Sequence, residues 1–194
     1  MMNRILFLVF FLLSIHSFGQ YKGVEVEEVD NGGLVKGKTY RVYIVLANDS
    51  DQVFMAYGDS LHPMDIRSTK SFFQSPLGGL TSKSISRKLA KENAEARFDS
   101  WITIGAEDNY NNQTEVLKVG EEFESKGAAI KCTDGAWFSL PGSQMNYARS
   151  TRKVLLMQLT TEGKVEGSFS IMGRTADGKN FHQHDIKFSI PANK

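Results

Sequence analysis

The stretch Val165-Glu166-Gly167-Ser168-Phe169-Ser170-Ile171-Met172-Gly173-Arg174 decides the fold, because its polarity alternates with a period of two. Successive side chains of a β-strand point to opposite faces of the sheet. Val165, Phe169 and Ile171 therefore share one face with Gly167 and Gly173. Glu166, Ser168, Ser170 and Arg174 share the other, with Met172 the one apolar exception among them. This is the pattern of a strand with one face on a core.

Working upstream, Thr161-Glu162-Gly163-Lys164 is a glycine-bearing turn, and Val154–Thr161 before it is a second strand, apolar on both faces at its start. The two segments read as a β-hairpin. Tyr40–Ala47 is apolar on both faces, as in a strand covered on both sides. The turn cluster Asn48-Asp49-Ser50-Asp51 joins it to Val53–Tyr57, giving a second expected hairpin. Further strands are expected at Gly23–Val29, Met64–Arg67, Lys70–Gln74, Phe98–Ile104, Ala136–Leu140 and Asp185–Ile190. Many short strands separated by Gly, Asn and Asp clusters predict an all-β fold, a single antiparallel β-sandwich spanning 20–194. One segment breaks the alternation. Ser82–Arg97 is rich in Lys, Ala, Glu and Arg, which are good helix formers. Ile85, Leu89 and Ala96 can share one side of a short helical insertion there; the competing reading is an irregular polar loop.

The N-terminus sets the compartment. Met1-Met2-Asn3-Arg4 precedes an unbroken apolar run, Ile5 to Leu13, and then the small or neutral residues Ser14 to Gly19. A positive start, about 7–15 apolar residues and small residues before a cut site describe a cleavable export signal. The apolar run falls short of the about 20 residues a membrane span requires. Residues 1–19 are thus read as a signal peptide, the protein as secreted or periplasmic, and Gln20 as its mature N-terminus. Once Arg4 leaves with the signal, the total of 23 Lys+Arg falls level with the 22 Asp+Glu. Such a balanced chain lacks the basic footprint of a nucleic-acid binder. Cys132 is the only cysteine, so no internal disulfide forms, and it reads as a half-buried small hydrophobe.

A resemblance runs through the chain. The segments TYRVYIVLAN (39–48), MAYGDS (55–60), SFFQSPLGG (71–79), FDSWITIG (98–105), AWFSLPG (136–142) and VLLMQLTTEGKVEGSF (154–169) occur in that order. Together they resemble an uncharacterised β-rich module of secreted proteins from Bacteroidetes-type bacteria. The resemblance covers about Gly32 to Gly178 and departs from the module at Ser82–Arg97. It implies an extracellular compartment and a β-rich fold, and it carries no catalytic residue.

Candidate sites have competing readings. His182 and His184, two apart beside Asp185, would point the same way on a strand and suggest a metal pair. They also share parity with Ile186, Phe188 and Ile190, which places them at the rim of the core, and two ligands fall short of the three or four that zinc takes. Asp49 and Asp51 of the 48–51 cluster, and the run Glu107–Asn112, offer oxygen ligands suited to Ca²⁺. The same residue types dominate turns for conformational reasons, and neither cluster has the spacing of a calcium loop. Asp59 and Asp99 could join such a site only if the fold brought them close. Trp101 and Trp137 share parity with polar neighbours, Asp99 and Thr103 in one case and Ser139 in the other. Exposed there, they could stack on a sugar; alternatively a loop or the Ser82–Arg97 segment covers them.

No nucleophile elbow, zinc-protease helix or phosphate loop is present. The sequence leads to a non-catalytic binding, adhesion or structural module of the cell envelope or extracellular space, with no cofactor beyond a Ca²⁺ option. Its expected partner is a glycan or an envelope protein, with no nucleic acid and no membrane span after cleavage. The alternatives are a carbohydrate-binding module using its tryptophans and an unrecognised extracellular hydrolase.

Overall fold

A computed structural model describes residues 20–192, so the signal-peptide reading of 1–19 lies outside the described residues. The strands are β1 (Tyr21–Val29), β2 (Lys38–Leu46), β3 (Gln52–Gly58), β4 (Met64–Ser68), β5 (Trp101–Ile102) and β6 (Glu115–Leu117), then β7 (Ile130–Cys132), β8 (Gly135–Phe138), β9 (Lys153–Thr161), β10 (Val165–Arg174) and β11 (Asn180–Ile190). Two short helices, α1 (Arg87–Glu92) and α2 (Glu121–Lys126), sit in the connections. The strands form two antiparallel sheets, one of four strands in the order β1-β2-β9-β5 and one of seven built around β10. The fold is an all-β sandwich.

β10 organises the larger sheet. β11 pairs along the whole of one edge, Val165 with Ile190 through Arg174 with Asn180. The opposite edge is divided, with β4 on Val165–Ser168 and β3 on Ser170–Arg174. β8 and β6 continue outward from β3, and β7 from β4. The alternation read from the sequence holds: Val165, Phe169 and Ile171 are fully buried. Gly167 and Gly173 have a packing reason. A Cβ at either would collide with the ring of the residue paired with it, Phe188 or Phe181. The rings lie over the glycines, and Phe188 meets Phe169 edge-on with ring centroids 6.1 Å apart.

The core between the sheets takes Val42, Ile44 and Leu46 from β2, Leu156 and Leu159 from β9, and Ile66, Trp137, Phe169 and Ile171 from the facing sheet. Each fully buried aliphatic or phenyl side chain contributes about 1.5–3 kcal/mol relative to exposure. A smaller cluster, Ile85, Trp101 and Leu155 with Tyr43, Leu89 and Ala90 against it, lies on the outer side of the four-stranded sheet. The insertion is helical as expected, α1 flanked by short 3₁₀ turns, and Ser86 caps α1 by accepting from the Leu89 N–H.

Both expected hairpins are corrected. β9 pairs with β2 and β5, whereas β10 belongs to the other sheet, so the 161–164 turn crosses between sheets. The 47–51 turn likewise carries the chain from β2 in one sheet to β3 in the other. The true hairpins are β1–β2 and β10–β11. Lys70–Gln74 joins no ladder. Its neighbouring N–H groups bond to unrelated places, Phe72 to the Gly127 carbonyl and Phe73 to that of Thr160. Only Trp101–Ile102 of the Phe98–Ile104 segment pairs as a strand. The short β6 and β7 and helix α2 lie outside the sequence expectation.

Candidate functional site

The structure separates the two tryptophans and buries both. Trp101 is 1% exposed on β5 of the four-stranded sheet, and Trp137 is fully buried on β8 of the seven-stranded sheet. For Trp101 the parity reading is right: Phe98, Ile102 and Ile104 are buried, and the indole lies on the outer face, where the 82–97 insertion covers it. For Trp137 the facing is inverted. The indole enters the main core and donates its N–H to the Thr103 carbonyl at 3.0 Å, while Phe138 is half-buried and Leu140 is 68% exposed. Neither ring offers a face to solvent for stacking on a sugar.

Asp49 and Asp51 serve the 47–51 turn. Asp51 is fully buried, and its carboxylate accepts from the Asn48 N–H at 3.1 Å, the Asn48 amide at 3.2 Å and the Ala176 N–H at 2.9 Å. It thereby ties this turn to the β10–β11 turn. Asp49 accepts from the Ser50 hydroxyl at 3.0 Å. The 107–112 run is also a turn structure, with Asp108 accepting from the Tyr110 N–H and Asn112 from the Thr114 N–H. Among the described residues no group of three or more His, Cys, Asp or Glu side chains is placed to hold a metal ion. Asp99 is buried elsewhere and accepts from the Ser75 and Gly79 N–H groups, fastening the Ser75–Gly79 turn. Burial pushes its carboxyl up to about 6 against those hydrogen bonds. Burial also raises the half-buried Cys132 thiol.

His182 and His184 do lie together, but on solvent rather than at the core rim. The β10–β11 register shifts between Phe169 and Ile171, and Asp185 has a φ of +51°. The extra residue of this β-bulge reverses the parity of β11. Ile186 and Ile190 face inward after it, while His182 and His184 before it are exposed. An aspartate tolerates the left-handed conformation better than most residues, so the bulge needs no glycine to announce it.

The bulge faces the place where β3 gives way to β4 on the opposite edge of β10. The 59–63 loop at that junction supplies His62, whose Nδ1 lies 2.8 Å from the Asp185 carboxylate. Its ring stacks on His184 with centroids 4.2 Å apart, and His184 in turn stacks on His182 at 6.0 Å. The Tyr57 hydroxyl lies 3.4 Å from His182 Nδ1 and 3.2 Å from His184 Nδ1. Asp59 closes the loop by accepting from the His62 and Leu61 N–H groups at 2.7 and 2.8 Å. These bonds, with the one from His62 foremost, hold its carboxyl below the ordinary range. Burial, assisted by the Asp59 charge, pushes the Tyr57 phenol up.

Beside the histidines the outer face of the seven-stranded sheet is apolar. One register row runs Phe138, Met55, Met172, His182 across β8, β3, β10 and β11. A parallel row runs Leu117, Ala136, Tyr57, Ser170 across β6, β8, β3 and β10. Met55, Tyr57, Phe138 and Met172 are half-buried and Leu117 is 52% exposed. Met55, Tyr57, Leu117, Met172, His182 and His184 border a shallow depression of about 840 Å³. Met172, the exception in the deciding strand, was the sequence signal for this face. His62 had none, because its partners lie more than a hundred residues away. The arrangement can grip an apolar body on methionine, phenyl and tyrosyl groups while imidazoles hydrogen-bond its edge. Comparison of the chain with protein-family models, with curated proteins and with solved structures returned no match.

Proposed function

We propose that this chain is an exported, non-catalytic recognition module of the cell envelope or extracellular space. It docks a protein partner on the histidine-rimmed outer face of its seven-stranded sheet. The observation that carries the reading is a pair of apolar rows, Phe138-Met55-Met172, which ends at His182, and Leu117-Ala136-Tyr57, whose tyrosine hydroxyl meets His184; apart from the buried Ala136 these side chains are half-buried or exposed. A sheet face that only meets water carries polar residues opposite its core residues, and a contiguous apolar patch rimmed by polar groups marks an interaction surface. Methionines adapt to irregular partner surfaces, and aromatic side chains supply area at little entropic cost. The N-terminal sequence and the resemblance to secreted β-rich modules support the compartment. Among the described residues no helix is long and apolar enough to cross a membrane.

The test is Met172→Glu, which sets a charge in the middle of the apolar row without touching the core face. Binding of the purified protein to the envelope fraction of its own cells should weaken by at least about tenfold, with the melting temperature unchanged. Equal retention of wild type and variant would reject this face as the docking surface.

A further inference from the structure

The outer side of the other sheet holds a second feature, and it does not depend on the docking face. A cross-strand row runs Glu27, Arg41, Gln158, Trp101 over β1, β2, β9 and β5. The 82–97 insertion and the 105–113 loop rise on either side of it and leave a cleft of about 200 Å³. Arg41, Gln158 and Trp101 form the floor, with Arg97 and Glu107 at the sides. Most of the floor is internally satisfied. Arg41 donates to Gln158 at 3.2 Å and pairs with Glu107 at 2.8 Å. Gln158 donates to the Arg97 and Asp99 carbonyls at 2.9 and 2.8 Å.

Two groups are not. The Trp101 indole N–H is buried and donates to no acceptor. Buried donors are almost always satisfied, and one left without a partner calls for an explanation. Arg97 pairs with no carboxylate among the described residues, its guanidinium lying instead over the Phe98 ring at 5.6 Å. An uncommitted cation beside an unsatisfied neutral donor suits a ligand bearing acceptors and a negative charge. Arginine binds carboxylates through a planar, paired geometry. The Gln158 carbonyl and the Glu107 carboxylate keep lone pairs that can accept hydrogen bonds from hydroxyl or amide groups.

We infer that this cleft binds a small carboxylate of monosaccharide or amino-acid size, its carboxylate paired with Arg97 and an acceptor atom on the Trp101 N–H. Two sources share that chemistry, an acidic sugar and a peptide C-terminus. Glucuronate, N-acetylglycine and neutral glucose serve as probes, titrated into the purified protein and followed by tryptophan fluorescence and calorimetry. Saturable binding of glucuronate or of N-acetylglycine is expected, and the one that binds names the source. Glucose should bind at least about tenfold more weakly than that probe. Arg97→Ala and Trp101→Phe should each weaken the bound probe by about tenfold or more while the fold stays intact by melting temperature. Absence of saturable binding by either carboxylate up to about 10 mM overturns the inference. So does glucose binding as tightly as the carboxylates, or undiminished binding by both variants.

Discussion

Trp137 and Trp101 differ in one hydrogen bond, and that difference predicts an asymmetry in stability. Both indoles are essentially buried. A tryptophan buries about 150–250 Å², which at about 25 cal/mol per Å² corresponds to about 4–6 kcal/mol for removal to alanine. That approaches the whole stability of many domains, about 5–15 kcal/mol, so phenylalanine is the more informative replacement. Trp137→Phe keeps most of the apolar contact but deletes the bond to the Thr103 carbonyl and strands that acceptor in the core, costing about 1–3 kcal/mol beyond the change in volume. Trp101→Phe deletes a donor that has no acceptor, so no hydrogen bond is lost and the cost should stay within about 1.5 kcal/mol. Urea unfolding followed by far-ultraviolet circular dichroism, at one pH and with a shared slope, measures both. Trp101→Phe costing as much as Trp137→Phe would refute the assignment of their hydrogen bonds. Trp101→Phe also leaves Trp137 as the single indole, whose emission should be blue and unquenched by iodide; a red, quenchable signal would refute its burial.

Other expectations follow from single residues. Asp99 has a folded-state pKa raised to about 6 by burial, so its stabilising neutral form is fully present below the ordinary carboxylate range and is lost as pH rises through about 6. Relative to Asp99→Asn, the wild type should therefore gain up to about 3 kcal/mol between pH 7 and pH 4, read from urea midpoints; a constant difference would contradict it. Asp185→Val, a β-branched residue forced to a φ of +51°, should destabilise by about 1–3 kcal/mol, whereas Asp185→Asn should stay within about 0.5 kcal/mol. Equal melting temperatures for the two would remove the bulge from the account. Intact-mass analysis of the exported protein should find Gln20 at its N-terminus, and a retained Met1–Gly19 would refute cleavage there.

What the sequence made legible was what one strand decides alone. The parity of Val165, Phe169 and Ile171 is local, and it marked both the core face and the strand through which the larger sheet is organised. The partners of that strand were not legible. A glycine turn such as 161–164 looks the same whether the next strand returns beside its predecessor or crosses to the opposite sheet. The histidines show the same limit more sharply. Their parity with Ile186 and Ile190 was correct arithmetic on an unbroken strand, but a bulge at a non-glycine residue inverted it. Trp101 was placed on the proper face, and only the packing of the insertion settled its burial. Trp137 was misfaced because Ala136, Phe138 and Leu140 form the more hydrophobic row, yet the single indole takes the core and the row beside it is left for the outer surface. Met172 was visible as an anomaly, and it marks the face proposed for recognition.

The central claim is that recognition occurs on this face, and site-specific photo-cross-linking in the exporting cell tests it most directly. A photoreactive side chain at position 172, between Met55 and His182, is compared with one at position 88 on α1, where the native Lys88 side chain is 83% exposed. A discrete protein adduct is expected from position 172, disappearing when Met55→Glu is added, and none from position 88. Adducts of equal yield from both positions, or from position 88 alone, would contradict it.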